Sequence, residues 1–133
     1  MLKYMLDTNI VVYTMKNKPA SIKESFSRNH GRMCISSVTL MELVYGAERS
    51  SNPAYNLRAV ESFAARLEVL SLDSAAAYQA GQIRAHLAEK GLPIGPYDQF
   101  IAGHARSLGL VLVTNNISEF ARVDGLRVEN WAV

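Results

Sequence analysis

Short apolar runs, each followed by a stretch of helical periodicity, restrict what this chain can fold into more than any other feature. The runs cover residues 2–6, 32–36, 67–72, 110–114 and 126–129. Most are continuous rather than alternating in polarity, the pattern of strands covered on both faces. Helical patterns occupy residues 10–16, 21–29, 38–49, 55–67, 74–90 and 97–108, with a short turn near 117–121. This alternation predicts an α/β fold, with a central parallel sheet of four to five strands and helices on both faces. No long linker, low-complexity tract or internal repeat interrupts the pattern, so residues 1–133 are expected to form one domain.

Composition removes several classes of function. At 49% hydrophobic residues and a net charge of +2, the chain is too apolar and too evenly charged for intrinsic disorder. No apolar run approaches the roughly 20 residues that cross a bilayer, so no membrane role is expected. Asp7 arrives before any apolar core of a signal peptide has formed. The lone Cys34 has no disulfide partner and reads as a small buried strand residue. These features fit a cytoplasmic protein. No G-x-G-x-x-G, P-loop or G-x-S-x-G motif is present, and His30, His86 and His104 lack zinc-ligand spacing. Trp131 reads as packing, and Lys16, Lys18, Arg28, Arg84 and Arg106 as solvated surface by default.

In open α/β sheets, ligands bind beyond the carboxyl ends of the strands. Here three strands run directly into polar residues: Asp7-Thr8-Asn9, Ser36-Ser37 and Thr114-Asn115-Asn116. Asp7 reads either as a helix cap or as a site residue. Glu42 sits in a helix with apolar residues around most of its circumference, about 40° from Val38 and about 60° from Tyr45. An unpaired carboxylate in such surroundings is costly unless bonded, paired or cation-bound. Asp98 extends the inward stripe of Ile101, Ala102 and Ala105, although a first-turn acid also suits the helix dipole. Glu119 lies three residues after Asn116, the spacing of a capping box, which favours a purely local role. Together these acids would repel one another at a sheet edge unless cations neutralised them. All-oxygen ligands suit Mg²⁺ or Mn²⁺, and such ions assist phosphodiester hydrolysis.

Four segments carry a family resemblance: Met5-Leu6-Asp7-Thr8-Asn9, residues 36–43 around Glu42, residues 93–102 around Asp98, and residues 113–120 ending in Glu119-Phe120. In order and spacing they resemble the PIN-domain ribonucleases, specifically the VapC toxins of bacterial VapBC toxin–antitoxin pairs. The resemblance implies a PIN-like fold and a metal site of Asp7, Glu42 and Asp98, binding Mg²⁺ or Mn²⁺. It makes Glu119 the fourth catalytic acid, in a place where the family usually has Asp. Asn116 shapes the site in this comparison, while Thr8 and Thr114 hold the carboxylates. The likeness to enterobacterial VapC further implies cleavage of initiator tRNA in its anticodon loop, which would inhibit translation. It also implies a homodimer within a larger assembly and a VapB-like antitoxin that wraps the toxin and blocks its site. The helices near residues 10–29 and 38–67 are the candidate docking surfaces.

Two other readings fit parts of the pattern. A structure-specific DNA nuclease shares the metal chemistry but usually needs added elements to hold duplex or flap DNA. A receiver-like regulatory module would need a lysine near a late strand end, and residues 110–116 have none.

The small net charge does not argue against RNA. Once the four acids are set aside as metal-neutralised, Lys and Arg clearly outnumber the acids that remain, and phosphate contacts need no more than that.

Overall fold

A computed structural model describes residues 1–132; Val133, the last residue of the expected domain, lies outside the described residues. Five strands form the sheet: β1 (Tyr4–Leu6), β2 (Met33–Ser36), β3 (Glu68–Leu70), β4 (Val111–Val113) and β5 (Val128–Glu129). Their helices are α1 (Thr8–Lys16), α2 (Ala20–Arg28), α3 (Ser37–Glu48), α4 (Pro53–Ala64), α5 (Ser74–Glu89), α6 (Pro96–Ser107) and the single-turn α7 (Ile117–Phe120). Every strand pairing is parallel, in the order β3-β2-β1-β4-β5, with Met5 opposite Cys34 on one side and Leu112 on the other. The α/β sheet expected from the alternating pattern is therefore present.

The continuous apolar runs become intelligible once each side chain is assigned a face, since successive strand residues point to opposite sides. Tyr4, Leu6, Met33, Ile35, Val111 and Val113 enter one core, where α1, α2 and α4 cover them. Met5, Cys34 and Leu112 enter the other, beneath α5 and α6. Burial on both sides leaves no solvent face to alternate with. At the margins the expectation fails. β3 is an edge strand whose Glu68 and Val69 are exposed, so the run at 67–72 is not covered on both faces. The periphery of a sheet cannot be told from its centre by apolar content alone.

Local chemistry sets the helix ends. Asp7 caps α1 by accepting the Thr8 amide at 2.8 Å, and Asn17 closes that helix in the left-handed conformation at φ 57°. Ser36 and Asp73 cap α3 and α5, while Pro53 and Pro96 start α4 and α6. α5 and α6 pack closely because Gly103 has no side chain. A Cβ there would lie 2.5 Å from the Ala80 amide nitrogen and 2.9 Å from the Ala76 carbonyl oxygen.

The chain builds outward from β1 through β2 to β3, then returns to place β4 on the other side of β1 and β5 beyond it. The strand order thus reverses between β1 and β4. Loops leaving the carboxyl ends of these neighbours diverge and open a crevice. Asp7 follows β1, and Thr114 follows β4.

Candidate active site

Asp7 is almost completely buried at 4% exposure, and its position is held by both carboxylate oxygens. Oδ1 accepts the Thr8 amide at 2.8 Å, and Oδ2 accepts the Thr114 hydroxyl at 2.7 Å. Burial pushes its pKa above the ordinary carboxylate range, the two hydrogen bonds pull it down, and Glu42 pushes it up further. The cap reading is correct, but it leaves Oδ2 unexplained. That oxygen is gripped by a fully buried hydroxyl from the far side of the switch point.

Thr8 ties α1 to α3. Its hydroxyl donates to Glu42 Oε1 at 2.6 Å and lies 3.3 Å from the Thr39 hydroxyl. Glu42 is not sealed in an apolar wall, as its helical neighbours led one to expect. It is part-buried at the mouth of a groove of about 520 Å³ that runs between α1, α3 and α4. The reason lies in α3, whose Met41, Val44 and Tyr45 point to solvent instead of packing.

Asp98 stands in the first turn of α6, above the buried stripe of Ile101, Ala102 and Ala105. Burial raises its carboxyl most, and Asp7, Glu119 and Glu42 raise it further, to about 6. This is the clearest sign that the acids share one electrostatic environment. Glu119 joins it from α7. The expected capping box does not form there, because the Asn116 side chain makes no cap bond. Instead the Asn116 backbone amide donates to Thr114 Oγ1 at 2.9 Å, so Thr114 takes the partner that a capping box would give to Glu119.

The acids are near one another without touching. Among the described residues, no three His, Cys, Asp or Glu side chains are gathered closely enough to hold a metal ion by themselves. Among the described residues none of the four acids lies within salt-bridge distance of a cationic side chain; the contact of that kind is between His86 and Asp124, elsewhere. Oxygen ligands, mutual repulsion and no internal counter-charge together fit a hard divalent cation that retains waters in its shell.

Sequence reasoning gave no role to three further groups. Thr39 is fully buried beside Thr8; a polar residue three positions before Glu42 was the available signal. His104 is buried with Nδ1 2.9 Å from Ser36 Oγ, and burial lowers its pKa, so it stays neutral. This contact joins α6, which carries Asp98, to the start of α3, which carries Glu42. Asn9 and Asn115 meet on the β4 side of α1, and no spacing rule pairs residues so distant in sequence.

Comparison with known proteins agrees with this geometry. Residues 4–126 match the PIN domain family. Over 132 residues the chain is 63% identical to the tRNA(fMet)-specific endonuclease VapC of Shigella flexneri, covering 99% of this chain and 100% of that protein. The chain belongs to the PIN-domain family, in its VapC branch. A second VapC relative, the tRNA(fMet)-specific endonuclease of Salmonella typhimurium, is 63% identical over 98% of this chain and 99% of its own. The crystal structure of DNA-bound VapBC from Salmonella typhimurium superposes with a TM-score of 0.95 at 62% identity, covering 98% of this chain and 99% of that one. In this PIN domain Asp7 and Thr114 flank the strand-order reversal, Thr8 ties Glu42 to Asp7's helix, and Asp7, Glu42 and Glu119 all act on the Asp98 carboxyl.

Proposed function

We propose that this protein is the toxin of a type II toxin–antitoxin pair, a divalent-metal-dependent endoribonuclease that cuts initiator tRNA in its anticodon loop and so inhibits translation. One observation carries the chemical part of this reading. Asp7 is held by the Thr8 amide and the Thr114 hydroxyl, the Thr8 hydroxyl brings in Glu42 at 2.6 Å, and Asp7, Glu119 and Glu42 each raise the Asp98 carboxyl beyond what burial does. The substrate comes from the Shigella and Salmonella relatives, whose names specify tRNA(fMet).

In this reading Asp7, Glu42 and Asp98 hold Mg²⁺ or Mn²⁺, and Glu119 adds negative charge at the edge of the site. A bound ion of this kind supplies a Lewis acid for the phosphodiester and lowers the pKa of a water. The remaining work belongs to the chain itself. Thr114 and the Thr8 amide orient Asp7, and the Thr8 hydroxyl orients Glu42. Asn116 shapes the approach from α7. An anticodon loop suits such a crevice because its unpaired nucleotides can splay apart.

The same proposal includes a VapB-like antitoxin, since the solved relatives include VapBC complexes. A groove starts at Thr8 and Glu42 and passes Val12 and Met15; a second, lined by Met15, Phe26 and Phe63, continues across α2 and α4. A partner segment lying along them would end at the acids. Met41, Val44 and Tyr45 of α3 and Tyr78 of α5 are large apolar side chains exposed to solvent, which supports a homodimer. No helix among the described residues is long and apolar enough to cross a membrane, and the proposed place of action is the cytoplasm.

The test is cleavage by the purified protein, freed of any partner, of initiator tRNA, elongator tRNAs and single-stranded DNA, with Mg²⁺, Mn²⁺ or EDTA. Single cuts in initiator tRNA that require the divalent ion are expected. Cleavage that persists in EDTA, or that consumes DNA equally well, would overturn the proposal.

A further inference from the structure

Hydrogen bonds hold two of the acids directly: Asp7 accepts from the Thr8 amide and the Thr114 hydroxyl, and Glu42 from the Thr8 hydroxyl. Among the described residues no such bond holds the Asp98 carboxylate, so its place is set by where α6 lies. Most of what ties α6 down leads away from the site. Gly103 lets it pack closely on α5, and Arg106 bonds to Gln79 and Gln82 of that helix, which carries none of the four acids. Among the described residues one side-chain hydrogen bond links α6 to an element bearing another of the acids. His104 Nδ1 lies 2.9 Å from the Oγ of Ser36, the cap of the Glu42 helix α3.

Both partners are buried, His104 at 2% exposure and Ser36 at 0%. Ser36 Oγ also accepts the Val38 amide at 3.1 Å, so the contact meets α3 at its first turn. An imidazole and a hydroxyl in a core are costly unless bonded, and a leucine at position 104 would avoid that cost. What the polar pair adds is register. Apolar surfaces slide over one another with little change in energy, whereas a hydrogen bond weakens once its length or angle departs from a narrow range. The contact also stands equally far from the two acids it can govern. Asp98 is six residues before His104 and Glu42 six after Ser36, about 9 Å along either helix.

We propose that His104 and Ser36 are positioning residues, which fix α6 against α3 and thereby set the spacing of Asp98 and Glu42 as ligands of the divalent ion. The proposal rests on the metal-dependent reading above. Groups that orient metal ligands from behind are typically worth about tenfold or more in metal affinity.

The experiment measures Mn²⁺ binding by electron paramagnetic resonance, with no RNA present, near pH 7.5. It compares wild type, His104→Leu, His104→Asn, Ser36→Ala and the double variant His104→Leu/Ser36→Ala, each shown to be folded by circular dichroism in EDTA. His104→Leu and Ser36→Ala should each bind Mn²⁺ about tenfold more weakly than wild type. The double variant should bind no more weakly than either single one, because the same bond is already lost. His104→Asn, whose amide offers a hydrogen-bonding atom near the place of Nδ1, should restore most of the affinity. Should His104→Leu fail to fold, Ser36→Ala decides in its place, since it removes the bond from the other end. Wild-type affinity in a folded His104→Leu or Ser36→Ala, an Asn variant as weak as the Leu variant, or losses that multiply in the double variant would overturn the inference. A wild type that binds no Mn²⁺ would instead overturn the metal-dependent reading beneath it.

Discussion

Replacing Asp98 with Asn should make the metal-free protein more stable while destroying its activity. The wild-type carboxyl takes up its proton near pH 3.8 when unfolded and near 6 when folded, chiefly because of burial and then because of Asp7, Glu119 and Glu42. A folded-state pKa raised in this way favours the protonated form. Its penalty is absent below about pH 4, grows as the pH rises through 6, and is complete above that. The upper limit is roughly 3 kcal/mol at about 1.4 kcal/mol per pH unit, and solvent screening of a part-exposed group lowers it to about 1–2 kcal/mol. For a chain of this length the gain corresponds to a rise in Tm of roughly 3–8 °C. The assay is thermal unfolding of Asp98→Asn and wild type in EDTA, near pH 7.5 and near pH 4, followed by addition of Mg²⁺ or Mn²⁺. The variant should melt higher near pH 7.5 and level with wild type near pH 4. The divalent ion should raise the Tm of wild type much more than that of the variant. A variant that melts at or below wild type near pH 7.5, or a gap that persists near pH 4, would refute the argument from crowded acids.

Two further substitutions test the scaffold around the site. Gly103→Ala places a methyl group 2.5 Å from the Ala80 backbone nitrogen and should cost about 1–3 kcal/mol of stability, read from denaturant unfolding. A neutral result would mean that α5 and α6 separate more easily than their contact implies. Thr114→Val keeps the shape but removes the donor to Asp7 Oδ2 and the acceptor for the Asn116 amide. The rate of tRNA cleavage at saturating metal should fall about ten- to hundred-fold, because a small misplacement of a site group costs that much; an unchanged rate would remove Thr114 from the site.

The parts of this fold that could be read from sequence are those in which one local pattern has one physical solution. The runs ending at Leu6, Ser36 and Thr114 had to be strands buried on both faces, and those are the three central strands. The rule that ligands bind beyond strand carboxyl ends then directed attention to Asp7 and Thr114. Features that depend on distant partners were less visible. The exposure of β3 follows from its edge position, which its composition does not encode. Glu42 looked enclosed because Val38 and Tyr45 beside it are apolar; Val38 is indeed buried, yet Tyr45 faces solvent. Asn116 and Glu119 matched a capping box, but Thr114 Oγ1 reaches the Asn116 amide first. The contact of His104 with Ser36 spans 68 positions, beyond the reach of any local pattern.

The most direct test of the acidic site is divalent-dependent cleavage of initiator tRNA by Asp7→Asn and Glu42→Gln, each shown to be folded by circular dichroism and thermal unfolding. Both substitutions keep the side-chain shape and remove one negative charge from the crevice. Folded variants that have lost cleavage at every Mg²⁺ and Mn²⁺ concentration are the expected result. Full cleavage by either folded variant would contradict the assignment.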